Sequence, residues 1–181
     1  MVTRFRSHGV TLVELLVVIS ILGVVAMVAI PDFRSGDPHR LDLAATEFAD
    51  AMRFARSEAI RTGEPRGFRE ASTKKRIRVF RADTTTSPWT ESFDVYHPVS
   101  RQLYDVDLDE HPFARAGNQS HNRVYRGTCN TPRKVHFDNA GVPRCLDPAT
   151  VLLERYDITL TLGPHTRVVT LDGITGRVRV Q

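Results

Sequence analysis

Near its C-terminus the chain reads Thr175-Gly176-Arg177-Val178-Arg179-Val180, two guanidiniums separated by one apolar residue. On a strand, residues two apart share a face, so Arg177 and Arg179 are expected on one side and Val178 and Val180 on the other. Forked guanidiniums grip phosphate oxygens bidentately, and Gly176 beside them would leave room for a phosphate backbone to approach. An ordinary strand with an arginine-rich solvent face has the same pattern. Arg133, Lys134 and Arg144 are basic and lie near turns, which makes them auxiliary candidates for the same anionic partner. No aromatic residues interleave with these cations, so base stacking is not expected. Any nucleic-acid contact would be backbone-directed, sequence-independent and weakened by salt.

A second chemical group stands at the other end. Glu14 lies inside GVTLVELLVVI, residues Gly9 to Ile19, a run that is otherwise almost wholly apolar. Met1 to Gly9 is short and basic, with Arg4 and Arg6 and no acid. Val10 to Ile30 is then interrupted only by Thr11, Glu14, Ser20 and Gly23. As a helix it would measure roughly 31 Å, enough to cross a bilayer core. Basic residues before it and a large domain after it predict an N-in, C-out orientation. The apolar stretch is too long for a cleaved secretory signal, and Ile30-Pro31-Asp32 is not a small-x-small cleavage site, so the segment is expected to stay with the mature protein. An acid deep in a membrane helix costs about 2.5–3.5 kcal/mol, so Glu14 needs an account. Either it reaches the interface about one turn from Val10, or it neutralises a free amine. Cleavage after Gly9 would create that amine at Val10 of a neighbouring subunit.

Other constellations carry less. Asp105, Asp107 and Asp109 start like a calcium loop, but Glu110 stands where the turn glycine belongs and Ala116 where the distal carboxylate belongs, so a solvated acidic loop is expected. The seven histidines have no ligand spacing, and no Cys-x-x-Cys, phosphate loop or nucleophile elbow occurs. No metal, cofactor or catalytic residue is therefore expected. Cys129 and Cys145 are either free thiols or, outside the cytoplasm, a disulfide closing a loop of about 17 residues worth ~3 kcal/mol.

These groups need elements to position them. Pro31 to Pro38 is a turn-rich break. Leu41, Ala45, Phe48, Met52, Ala55 and Ala59 then recur at intervals of four and three, the stripe of an amphipathic helix that Gly63 and Pro65 end. Beyond Gly63 the period becomes two. Strands are expected at residues 76–81, 93–96, 134–137, 156–162, 166–171 and 177–180, with a turn at Asp138 to Gly141 and a long loop from Leu103 to Arg126. One long helix followed by short antiparallel strands is an α+β fold. Four segments follow: 1–9, 10–30, 31–63 and 64–181.

The short basic leader ending in Gly9, followed by V-T-L-V-E-L-L-V-V-I, resembles the signal of type IV prepilins and pseudopilins. F-A-R-S-E-A-I-R-T-G, Phe54 to Gly63, resembles the helix end of their GspH/FimT branch. The resemblance implies a pilin-like fold, with a long N-terminal helix, membrane-spanning in its first half, packed on a C-terminal antiparallel β-sheet domain. It implies cleavage by a prepilin peptidase after Gly9, N-methylation of Val10 (a position usually Phe in this family), assembly guided by Glu14 and a helix kink at Pro31. Its implied partners are other pilins or pseudopilins and the inner membrane, with the C-terminal domain periplasmic or at a filament tip. G-R-V-R also matches the tail motif of FimT-type minor pilins, which implies duplex DNA as a partner through Gly176, Arg177 and Arg179. The alternative is a structural pseudopilin priming a type II secretion filament. Removing the leader lowers the formal charge from +4 to +2, since 25 basic residues become 23 against 21 acidic ones. That modest value, and seven acids against one base between Asp83 and Glu110, lean toward the alternative. The tail leans toward DNA.

Overall fold

The computed structural model describes residues 11–29, 37–70, 76–110 and 118–181. The chain divides into two units, Met1–Ser35 and Gly36–Gln181. Gly9, Val10 and Pro31 lie outside the described residues.

In the first unit Thr11 caps helix α1, Leu12–Ala29, by accepting the Glu14 N–H on its hydroxyl at 3.3 Å. Glu14 therefore occupies the first turn, where a carboxylate complements the positive end of the helix dipole. The helix is apolar on every side, and Leu12, Leu15, Leu16 and Ile19 are all exposed. Such a surface is stable only inside a core or a membrane. The 18 residues of α1 measure about 27 Å, short of the roughly 30 Å of a bilayer core. Among the described residues no helix is long and apolar enough to cross a membrane; the expected span at 10–30 runs past them at both ends.

The second unit opens with helix α2, Asp37–Thr62, whose Pro38 sits in the first turn, where no intrahelical N–H is needed. Gly63, at φ +70°, takes the left-handed conformation that stops it. Strands follow: β1 Arg66–Glu70, β2 Arg76–Asp83, β3 Thr90–Ser92, β4 Asp105–Asp107, β5 Asn118–Tyr125, β6 Lys134–Phe137, β7 Pro143–Cys145, β8 Leu153–Leu162, β9 His165–Asp172 and β10 Val178–Val180. Among the described residues they form two antiparallel sheets. One runs β3-β2-β1-β6-β7 with β4 also on β2; the other runs β10-β9-β8-β5.

Leu41, Ala45, Phe48, Met52, Ala55 and Ala59 are all buried, and they meet both sheets in one core. The six-stranded sheet contributes Phe68, Ile77, Val79, Val135 and Phe137, and the four-stranded sheet Tyr156, Ile158, Leu160, Val169 and Leu171. Phe68 stacks on Tyr156 with ring centroids 5.7 Å apart, which joins the sheets directly. Burying a side chain the size of Phe48 contributes about 2–3 kcal/mol, so this stripe is the main reason α2 is a helix at all. Cys129 and Cys145 are joined in a disulfide, Cα–Cα 5.9 Å, that ties the approach to β6 onto β7.

Three expectations are corrected. Residues 93–96 are not a strand. The neighbouring edge of β2 is taken by β3 at Arg81–Asp83 and by β4 at Arg76–Arg78, and only Tyr96 bridges, to Leu103. The segment from Leu103 to Arg126 is not a long loop, because it contains β4 and β5. β5 hides its period because its core-facing side is polar: His121 and Arg123 reach the Tyr156 hydroxyl at 2.9 and 2.6 Å. Asp105 and Asp107 are not a solvated loop either; Asp105 lies 3.0 Å from both Arg76 and Arg78. Strands β1 and β7 were not expected. β1 shows a single apolar side chain, Phe68, although it lies mid-sheet.

Candidate nucleic-acid interface

The tail is held by the turn before it. Asp172 Oδ1 accepts hydrogen bonds from the backbone of Ile174 at 3.0 Å and of Thr175 at 2.7 Å, and from the Thr175 hydroxyl at 2.8 Å. These donors, Thr175 foremost, hold its carboxyl below the usual carboxylate range, and the field of Arg179 adds to the effect. The Gly176 N–H closes the turn on the Asp172 carbonyl at 2.8 Å, and the Asp172 N–H donates to the Arg177 carbonyl at 2.9 Å. A carboxylate with a lowered folded pKa stabilises the fold above its unfolded value of about 3.9, and that contribution is lost as pH falls through the lower folded value. Asp172→Ala is expected to cost about 1 kcal/mol near neutral pH, because the site is exposed and water replaces part of each bond. Chemical denaturation should show the gap to the parent shrinking below about pH 4.

β10 places its residues as alternation demands. Val178 and Val180 stand opposite Leu171 and Val169, the core-facing residues of β9, and Arg179 stands opposite Thr170 on the outer side. Arg177 falls one residue before the strand rather than inside it. Both arginines are exposed, and among the described residues neither has a carboxylate within ion-pair distance. Gly176 does something other than what the sequence suggested. It is buried at φ +64°, and a Cβ there would come within 2.7 Å of the Arg56 Nε, so its open side is filled by an arginine of α2 and is not left for a phosphate.

The auxiliary candidates do not gather at the tail. Lys134 and Arg144 belong to the six-stranded sheet and are matched to acids, Lys134 to Glu91 at 3.6 Å and Arg144 to Asp138 at 2.7 Å. Burial pushes the Asp138 carboxyl up, but hydrogen bonds from the Val142 backbone and Arg144 bring it below the usual range. Arg133 is exposed in the turn before β6. Two cations of α2 outside its core stripe do reach the tail, Arg53 at Val178 and Arg56 beside Gly176. Arg53 donates to the Val178 carbonyl at 3.3 Å, and Arg56 Nε to the Gly141 carbonyl at 3.1 Å. Their spacing, three apart on one helix face, was the available signal. Among the described residues no group of His, Cys, Asp and Glu could hold a metal ion.

The family described as type II transport protein GspH matches residues 44–173, from the core stripe of α2 to the start of the turn before the tail. The chain belongs to the GspH family. A prokaryotic N-terminal methylation motif also covers its residues 4–30. A search of curated proteins finds no match to this GspH-family sequence. Among solved structures, the minor pseudopilin EpsH from the type 2 secretion system of Vibrio cholerae is 13% identical at a TM-score of 0.47, covering 78% of this chain and 96% of that one. The type IV minor pilin FimU of Pseudomonas aeruginosa is 16% identical at a TM-score of 0.45, covering 81% of this chain and 91% of that one.

Proposed function

We propose that this chain is a non-catalytic minor pilin of the GspH/FimT kind that binds duplex DNA without sequence preference through Arg177 and Arg179. One contrast carries the reading. Lys134, Arg144, Arg76 and Arg78 are each matched to an acid, whereas the two tail arginines are exposed with no acid in ion-pair range among the described residues. Unmatched guanidiniums release the counterions of a phosphate backbone without first breaking an internal pair. The N-terminal half of the proposal is anchoring and assembly. The apolar segment 10–30 holds the chain in the inner membrane with the second unit periplasmic. Prepilin peptidase cuts after Gly9, Val10 is methylated, Glu14 meets the new amine of a neighbouring pilin, and Pro31 bends the helix.

The second reading, a structural pseudopilin of a type II secretion filament, is favoured by the low mature charge and the acidic stretch from Asp83 to Glu110. Titrating the full-length chain in detergent with labelled duplex DNA separates the two. Two backbone contacts predict retention at about 50 mM salt and roughly a tenfold loss of affinity by 200 mM. Absence of binding at the lower salt would leave the secretion role.

A further inference from the structure

We infer that the DNA-contact surface continues from the tail onto helix α2, through a groove in which Arg53, Arg56 and Arg177 form a track for phosphates. The inference rests on the tail being a DNA contact. The groove lies between α2 and the tail, and Arg53, Arg56, Ser57 and Ile60 line it from the helix, Arg177 and Val178 from the tail. The four helix residues are spaced i, i+3, i+4 and i+7, so they form one continuous face beside the core stripe. Its volume is about 320 Å³, room for roughly ten waters or the phosphate groups that displace them.

The three guanidiniums are not equivalent. Arg53 spends one nitrogen on Asp50 at 2.9 Å and another on the Val178 carbonyl, so it fastens β10 to the helix. Arg56 gives only its Nε–H, to Gly141, and no carboxylate among the described residues pairs with it. It lies against Gly176, where any side chain would displace it, and so is set in place before a ligand arrives. Arg177 completes the track from the opposite wall. Three arginines lining one groove, with Asp50 the single carboxylate among the described residues bonded to any of them, suit a run of phosphodiesters. Ile60, half exposed at 52%, offers an apolar surface to the intervening sugars.

The test uses the full-length chain in detergent and the same labelled duplex. Ser57 is exposed, and its hydroxyl bonds only to the Phe54 carbonyl of its own helix, so Ser57→Glu puts a carboxylate in the groove without touching an arginine. That variant should bind at least tenfold more weakly with an unchanged melting temperature, and Ser57→Lys should bind more tightly. Arg56→Gln should reduce the slope of log affinity against log salt by about 0.9, and Arg56→Lys should restore it, because a phosphate contact needs the charge and not the Gly141 bond. Unchanged affinity in Ser57→Glu with an unchanged slope in Arg56→Gln overturns the groove, and the tail reading survives if Arg177→Ala with Arg179→Ala still weakens binding. Failure of the parent chain to bind DNA at low salt overturns the tail reading itself. Capture of poly-glutamate without DNA binding assigns the groove to an acidic protein instead.

Discussion

Exchanging Arg177 and Arg179 together for alanine is expected to lower affinity for duplex DNA about a hundredfold at low salt. A hydrogen bond to a charged group contributes roughly 1.5–3 kcal/mol, and the exposure of both side chains argues for the low end. Two such losses amount to about 3 kcal/mol, or two powers of ten. The logarithmic salt slope should flatten by about 1.8, a signature that separates lost phosphate contacts from a misfolded tail. The melting temperature should not move, since neither side chain is buried or paired to an acid among the described residues. Fluorescence anisotropy across a salt series reads both quantities. Binding indistinguishable from the parent would remove the tail from the mechanism.

Gly173→Ala is expected to produce the largest loss of stability from a single methyl group. Gly173 is buried at the start of the turn, and its N–H donates to the Glu154 carbonyl at 3.0 Å. A Cβ there would lie 2.6 Å from the Glu154 carbonyl oxygen and closer still to that of Leu153. Both are backbone atoms at the start of β8, where Leu153 pairs with Tyr125 of β5 and the Glu154 carbonyl is already held by the Gly173 N–H, so the strand resists moving aside. Overpacking against a fixed backbone costs typically 1–3 kcal/mol, which in a unit this size is a melting shift of roughly 3–10 °C. The turn has to move, and the tail moves with it. DNA affinity should therefore fall while the salt slope stays near that of the parent, the reverse of the double-arginine variant. A melting temperature and affinity both equal to the parent's would show that β8 yields.

Those two variants mark what the sequence made legible and what it did not. The α2 stripe could be read because every residue of it meets the core, so burial and period agree from Leu41 to Ala59. β8 and β9 were legible for the same reason, with Tyr156, Ile158 and Leu160 inside and their neighbours facing out. β5 was not, because its inward side chains are His121 and Arg123, bonded to a tyrosine hydroxyl that no linear pattern reveals. β1 was hidden by Gly67, whose missing side chain lets Phe80 lie across the sheet. At the site, the tail arginines were visible as a local motif. Arg53 and Arg56 were not, since the bonds that place them span 125 residues for Arg53 and Val178 and 85 for Arg56 and Gly141. Gly176 was recognised as special for the wrong reason: its empty side accommodates a helix residue.

The uneven distribution of carboxylates also bears on how fast a partner arrives. Across the six-stranded sheet, cations alternate with acids at contact distance, and their fields cancel within a few ångströms. At the corner holding the tail, Asp50 meets Arg53 at 2.9 Å and Asp172 lies in the field of Arg179, but among the described residues no carboxylate comes within ion-pair distance of Arg56, Arg177 or Arg179, so cancellation there is less complete. A polyanion diffusing nearby is turned toward that corner before touching it, an effect that raises the encounter rate and fades as ions screen it over about 10 Å. Stopped-flow mixing at low ionic strength would then register the tail chiefly as a faster approach.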